Sequence, residues 1–228
     1  MTTAEFDSVR SLAGVHADPG VYEPQQDSLL LCDVAAESGL VSGARVLDMC
    51  TGSGAVAITA ALLGARDVMA FDISPRAVAC AQRNARSVGV DVDVRLGSFS
   101  DAAEVEPFDV LLCNPPYVPS ENAPTGMGVH RAWDAGEDGR VVLDPLCTRG
   151  AELLVPGGVI LVVHSEFSGP QRTREMLGAH GFGVSDAACR TIDFGPVMMS
   201  RAEWLEARGL LEPGRRTEEL VVLRGDKR

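Results

Sequence analysis

Apolar and polar positions along this 228-residue chain fall into blocks whose period switches repeatedly between that of a strand and that of a helix. After an N-terminal segment, Asp27 to Glu37 predicts a helix, capped by Asp27 and stopped by Gly39. Arg45 to Met49 reads as a strand, Ala55 to Leu63 as a helix, Val68 to Ser74 as a strand ending in an acid, and Pro75 to Ser87 as a helix that stops near Gly89. Further strands are predicted at Val92 to Leu96 and Phe108 to Cys113. Asn114 to Gly139, rich in Pro, Gly and Asn, predicts a long loop, and loops of this length in compact domains usually carry function. A helix near Arg140 to Leu154 then leads through a Pro156-Gly157-Gly158 turn into a strand at Val159 to His164. Pro170 to Ala179 and Arg201 to Arg208 read as helices, and Gly183 to Arg190 and Glu219 to Leu223 as the last two strands. Strand and helix alternate with no internal repeat and no low-complexity linker, which predicts one α/β domain over residues 1–228 built on a parallel sheet.

The candidate chemistry begins where the strand Phe108 to Cys113 runs into Asn114-Pro115-Pro116-Tyr117. A planar nitrogen, as in an amide or an exocyclic base amine, has a delocalised lone pair, and acceptors that take its N–H groups strengthen that lone pair. The Asn114 side-chain oxygen and the Pro115 carbonyl can accept both N–H groups while Tyr117 stacks on the flat group. Pro115 and Pro116 fix the backbone and bring no competing N–H. As a bare string the tetrapeptide also fits a rigid turn or a polyproline segment, so its context decides.

That context is Val46-Leu47-Asp48-Met49-Cys50-Thr51-Gly52-Ser53-Gly54 running into Ala55 to Leu63, a strand, a glycine loop and a helix. Gly52 and Gly54 permit positive φ and close backbone approach, and the helix start can face an anionic group. The dinucleotide pattern GxGxxG is not met, because Cys50 holds the first glycine position and Ala55 to Ala57 supply no third. Asp72, at the end of the next strand, sits where a carboxylate can take both hydroxyls of a ribose. The plainer reading makes it a helix cap, a role that suits Ser74 better because Pro75 fits the first helical position.

With these motifs in order, together with VYEPQQDSLLL, FDIS, LGSF, CNPPYVP, WDAGEDGR and LLVPGGVILVV, the chain resembles class I S-adenosylmethionine-dependent methyltransferases, specifically the HemK/PrmC family of protein-glutamine N5-methyltransferases. The resemblance implies a Rossmann-like, mostly parallel seven-stranded sheet with helices on both faces and an antiparallel final strand, the first 44 residues contributing to the cofactor pocket. It implies S-adenosylmethionine held by Ser28 and Asp48 near its methionine part, by the loop of Cys50, Gly52 and Gly54, by Asp72 and Ile73 at ribose and adenine, and by Ser98 and Phe99 beside adenine. Asn114 would bridge cofactor and substrate. The implied acceptor is the glutamine of a Gly-Gly-Gln loop in a peptide-chain release factor. The chain is similar to the family's shorter branch, whose members often work with a small zinc-binding activator protein that pairs along a sheet edge. Two positions depart from the family pattern. Cys50 stands where Gly is usual, which predicts a negative φ or a slightly shifted loop, and Ser98 stands where Asp is usual, which predicts a weaker contact to adenine.

Composition narrows the alternatives. With 46% hydrophobic and 23% charged residues the chain has ordinary globular usage. The longest apolar stretch, Leu153 to Val163, is broken at Pro156-Gly157-Gly158 and falls short of a membrane span, and the start Met1-Thr2-Thr3-Ala4-Glu5 lacks a signal pattern, so a cytoplasmic location is expected. Six cysteines without a CxxC pair, and four histidines outside any ligand-spaced cluster, predict reduced packing thiols and no metal site. A net charge of -12, with basic pairs only at Arg215-Arg216 and Lys227-Arg228, disfavours a DNA or RNA adenine substrate. A small-molecule N-methyltransferase and a noncatalytic methyltransferase-like scaffold remain as alternatives. His130 could shuttle a proton, Asp134, Glu137 and Asp138 could attract a basic loop or form a solvated turn, Trp133 could pack on substrate or close the loop, and His164 and Glu166 could line a rim.

Overall fold

A computed structural model describes residues 12, 14–121 and 132–228 of the protein. Helix α1 spans Gln26–Ser38, followed by β1 (Arg45–Met49), α2 (Ala55–Leu62), β2 (Asp67–Asp72), α3 (Pro75–Val88), β3 (Asp93–Leu96), the short α4 (Phe99–Ala102) and β4 (Phe108–Cys113). Then come α5 (Leu143–Arg149) with a 3-10 turn at Gly150–Leu153, β5 (Leu154–Ser165), a second 3-10 turn at Glu166–Ser168, α6 (Pro170–Ala179), β6 (Phe182–Asp193), α7 (Pro196–Ala207) and β7 (Thr217–Lys227). The strands join in one sheet of order β3-β2-β1-β4-β5-β7-β6, and β7 runs antiparallel to both of its neighbours. This is the seven-stranded arrangement that the resemblance implied.

Period-two alternation divides the core. In β4, Val110 and Leu112 face α1, α2 and α3, while Leu111 and Cys113 face α5 and α6, joined there by Phe108 from before the register irregularity between Phe108 and Val110. Both faces are covered, so the central strands read as nearly continuous apolar runs. Neighbours of β1 leave toward opposite sides, β2 one way and β4 the other, and a ligand crevice opens at such a switch point beyond the carboxyl ends of the strands.

Four boundaries differ from the sequence reading for identifiable reasons. Asp27 does not cap α1. The N-cap is Gln25, and Asp27 lies inside the first turn with its carboxylate turned to other partners. The helix expected from Arg140 shrinks to Leu143–Arg149 because residues 135–141 form a turn closed by Val141 N donating to Ala135 O, 3.1 Å. Pro156-Gly157-Gly158 does not end the preceding element but lies within β5 as an irregularity, the register jumping from Phe108↔Leu154 to Val110↔Val159. Strands β6 and β7 outrun their predicted lengths, since β6 is an edge strand with polar residues on both faces and little alternation to detect.

Cys50 is the described non-glycine residue with positive φ, at 64°, in the loop between β1 and α2. The expected negative φ is therefore corrected: the tight strand-to-helix turn keeps the left-handed conformation that glycine would adopt, and the side chain bears the cost. Gly54, with φ 86°, allows α2 to approach α3, where an added Cβ would sit 3.0 Å from that of Ala81.

The loop that follows β4 is stitched to residues 133–136. Val118 N donates to Trp133 O (2.8 Å), Ala135 N to Val118 O (3.0 Å) and Ser120 N to Gly136 O (2.9 Å). Gly139, at φ 70°, makes this possible, because a Cβ there would lie 2.3 Å from the Tyr117 carbonyl oxygen. Arg140 anchors the turn from beneath, its buried guanidinium donating to Ser168 O, to Thr173 Oγ1 (3.0 Å) and to Asp144 Oδ1 (2.7 Å).

Two predictions follow from the backbone. Cys50→Gly should stabilise the fold by about 1 kcal/mol, seen as a higher urea midpoint at unchanged m-value, through relief of the left-handed penalty. Gly139→Ala should destabilise it by at least about 2 kcal/mol in the same measurement, because both φ and the contact to Tyr117 oppose a side chain.

Candidate active site

The site is built around a carboxylate with 3% exposure, that of Asp27. Its Oδ2 accepts the hydroxyls of Tyr22 (2.8 Å) and Tyr117 (3.0 Å). Its Oδ1 accepts the backbone N–H of Ser28 (2.6 Å) and the Ser28 hydroxyl (3.3 Å). Since the Ser28 hydroxyl has one hydrogen and gives it to Asp27, its oxygen is an acceptor for Asn114 Nδ2, 3.1 Å away. The chain of donors fixes which way the Asn114 amide points: nitrogen toward Ser28, Oδ1 without a partner among the described residues. Burial and the Asp27 charge raise both tyrosine pKa values far above the usual range, so the phenols stay protonated as donors.

Asn114 stands where two cavities meet. The larger, of about 400 Å³, lies over the carboxyl ends of β1, β2 and β3 and has Ser28, Cys50, Gly52, Asp72, Ile73, Ser98, Phe99 and Pro116 in its wall. The structure brings most of the residues that the sequence offered as cofactor candidates to the wall of this one cavity. Asp72 Oδ2 accepts Gly52 N (2.9 Å) and Oδ1 accepts Ser74 N (2.8 Å), which locks the glycine loop to β2 and leaves each oxygen the capacity to accept one more hydrogen bond. Ser74, not Asp72, caps α3 through Ala77 N. Size, the two aromatic walls Phe71 and Phe99, and the Asp72 carboxylate in the same wall suit a nucleoside carrying ribose hydroxyls.

Two candidates sit behind the wall rather than in it. Asp48 is 1% exposed and accepts Thr51 Oγ1 (2.7 Å) and Ala57 N (3.1 Å), bracing the loop against the start of α2; burial pushes its pKa up to about 7. Gly54 packs against α3 as described. Ser98 is engaged in a capping box: its hydroxyl donates to Asp101 Oδ2 (2.8 Å) and accepts Ser100 N (3.2 Å).

The smaller cavity, about 120 Å³, is walled by Asp27, Asn114, Pro115, Tyr117, Trp133 and Glu218, with α7 along its mouth. Tyr22 and Asn114 border both cavities. Sequence reasoning missed Tyr22, Asp27 and Glu218. Asp27 carried the right residue type for a helix cap at a helix start, and Glu218 stood in the polar run Arg215-Arg216-Thr217-Glu218-Glu219, so neither signalled burial. The acids of the loop are paired internally: Asp134 with Arg201 (2.9 Å), Asp138 with Arg172 (3.2 Å) and Glu137 with Arg208 (3.3 Å). Glu166 pairs with Arg215, while His164 is buried beneath, its pKa lowered to about 4 by burial, with Nδ1 2.9 Å from Ser168 Oγ. His130 lies outside the described residues.

Chemically, the arrangement offers an oriented amide oxygen beside an aromatic ring, in a narrow acidic cleft that opens onto a nucleoside-sized cavity. No group of three or more His, Cys, Asp or Glu among the described residues is arranged to hold a metal ion. None of the described helices is long and apolar enough to cross a membrane.

Comparison with known proteins agrees with this geometry. A family model described as ribosomal protein L11 methyltransferase (PrmA) matches residues 29–115. A putative protein N5-glutamine methyltransferase of Methanocaldococcus jannaschii is 34% identical over 189 residues, 81% of this chain and 92% of the relative. Methyltransferase HEMK2 of Mus musculus is 33% identical over 178 residues, 75% of this chain and 83% of the relative. Among solved structures, the E. cuniculi Mtq2-Trm112 complex, described as responsible for methylation of the eRF1 translation termination factor, matches with TM-score 0.62 and 23% identity over 92% of this chain and 99% of that chain. The T. thermophilus 16S rRNA N2 G1207 methyltransferase RsmC, solved with AdoMet and guanosine, matches with TM-score 0.58 and 20% identity over 90% of this chain and 44% of that chain. At these identities the structural likeness is one of fold. Through its sequence relatives, the chain belongs to the HemK/PrmC family of class I, S-adenosylmethionine-dependent protein-glutamine N5-methyltransferases.

Proposed function

We propose that this protein methylates the side-chain amide nitrogen of a glutamine in a peptide-chain release factor, within its Gly-Gly-Gln loop. The observation that carries the reading is the free Oδ1 of Asn114, presented at the junction of the two cavities because Ser28 and Asp27 hold the other end of the amide. In this reading Asn114 Oδ1 and the Pro115 carbonyl take the two N–H groups of the acceptor amide, Tyr117 and Trp133 flank its plane, and its lone pair is turned toward the larger cavity. S-adenosylmethionine, when bound, supplies a methyl group on a sulfonium leaving group. Ser28 and the loop of Cys50 and Gly52 would hold its methionine part, Asp72 and Ile73 its ribose, and Ser98 and Phe99 its adenine. The protein's contribution is then alignment and acceptors preset for the amide, with no reorganisation at the moment of transfer.

A protein acceptor fits the electrostatics better than a nucleic acid. The smaller cavity presents Asp27, Asp193 and Glu218, and carboxylates there repel a phosphate backbone. Arg215 and Arg216, one of the basic pairs in the chain, are occupied by Glu166 and Glu206. We further infer a small zinc-binding activator as partner, in keeping with the alignment to Mtq2, which was solved with Trm112. Release factors act in the cytoplasm, and the reaction is placed there.

Labelled methyl donor offered with release factor, RNA or small metabolites should be incorporated into the release factor alone, and changing the Gly-Gly-Gln glutamine to alanine should abolish the signal. Incorporation into RNA would overturn the assignment. Asn114→Ala should lower kcat by about 100-fold or more with donor affinity changed only a few-fold, since an oriented acceptor in a site of this kind supports transfer. Asp72→Ala should do the reverse, weakening donor binding by about tenfold or more in calorimetry. Asp27→Asn keeps the shape but cannot accept from every neighbour, and should cost at least about tenfold in kcat by freeing the Asn114 amide to rotate.

A further inference from the structure

Glu218, the second residue of β7, is 4% exposed and belongs to the smaller cavity but not to the larger one. Because β7 runs antiparallel, its start lies at the carboxyl edge of the sheet, beside Ser165 at the end of β5. Ser165 faces the carboxylate, yet Oε2 is buried without a hydrogen-bond partner among the described residues. A buried carboxylate oxygen lacking a donor is costly, and it persists where a ligand completes it. The donor that completes this one must be an N–H or O–H entering the small cavity.

If the acceptor is a glutamine side chain, its two N–H groups are already taken by Asn114 and Pro115. The two residues that precede the glutamine in a Gly-Gly-Gln loop have no side chain, so the donor they can bring to that depth is main-chain N–H. We propose that Glu218 Oε2 receives a backbone N–H of the acceptor chain next to the methylated glutamine, making it a specificity-determining residue that reads the polypeptide around the side chain. The inference rests on the glutamine reading given above. A free glutamine or a base amine offers no main-chain amide N–H beside the methylated nitrogen, so the contact separates a peptide-borne acceptor from its small analogues.

The groups facing Glu218 are Asp27 from α1, Glu166 from the 3-10 turn, Arg215 ahead of β7, Ser165 of β5, and the phenols of Tyr22 and Tyr117. Burial is the largest influence on the carboxyl, and its pKa is pushed up to about 7 from an ordinary value of 4.5. Protonation therefore removes the acceptor's charge near neutrality. For stability the sign runs the other way from a salt-bridged acid: a raised native pKa gives stability that is full below about 4.5 and lost as pH rises toward about 7. The native fold thus carries a site that weakens it at the pH where it works.

The experiment is steady-state methylation of purified release factor by wild type and Glu218→Gln, with donor affinity and melting temperature measured alongside. Glu218→Gln should raise KM for the release factor by about tenfold, as expected for loss of a charge-assisted hydrogen bond, while kcat and donor affinity stay within about twofold. Wild-type KM should fall between pH 6 and pH 8, and that of the variant should not. The variant should also melt higher than wild type at pH 8 and no higher at pH 4, a gain that a merely structural carboxylate would not give together with a higher KM. Should the glutamine variant fail to fold, Glu218→Asp, which retracts the oxygen by one methylene, should show the same rise in KM. A KM within twofold of wild type in the folded variant, or identical pH profiles, overturns the role of Glu218 while leaving glutamine methylation intact. Failure of wild type to methylate the release factor at all would instead remove the reading on which the inference stands, and the inference with it.

Discussion

A single buried carboxylate, that of Asp27, ties together the three segments on which the site depends. Tyr22 lies before α1, Ser28 within it, and Asn114 and Tyr117 on the loop after β4, 86 to 90 residues away in sequence. An isolated charge at this depth would be strongly unfavourable, but Asp27 accepts four hydrogen bonds and sits in the first turn of a helix, where the macrodipole favours negative charge. The arrangement is worth more as orientation than as stability. Its consequence reaches the reacting position through hydrogen bonds that each have one permitted direction, so the amide of Asn114 is set before any substrate arrives.

The rest of the architecture serves to deliver these groups to one place. The Rossmann-like sheet brings the ends of β1, β2 and β4 side by side at its switch point, which puts the glycine loop, Asp72 and Asn114 within one crevice. The turn around Gly139 and Arg140 then presses the loop of Tyr117 down from outside. Arg172 of α6, Arg201 of α7 and Arg208 just beyond α7 hold the acids of that turn, so their charge serves folding beside the smaller cavity rather than attraction of a ligand.

Elements with strong local signals were legible in the sequence. The apolar run of β4 marks a strand covered on both faces, and Gly39 and Gly89 stop their helices in the left-handed conformation that their residue type foretells. The wall of the larger cavity was legible because most of its residues follow strand ends directly. What stayed hidden depends on contacts between distant segments. Asp27 looks the same to local rules whether it caps a helix or anchors a hydrogen-bond hub. Glu218 is buried only because β7 slots between β5 and β6. Asp134 finds Arg201 67 residues away, a pairing no local pattern records. Cys50 was misjudged for the opposite reason: a general preference for negative φ was outweighed by a turn that the surrounding strands impose.

The insertion of β7 between β5 and β6 also orders events in time. Until β7 has been synthesised, β5 presents an unpaired backbone edge and β6 has no neighbour, so half of the sheet must wait while the β1 to β4 half can already assemble. The half that carries the larger cavity can therefore form first on the emerging chain, and the smaller cavity closes only when β7 slots in between β5 and β6. Order of synthesis and order of closure thus coincide, since the chain's last strand walls the smaller cavity through Glu218 and Leu220.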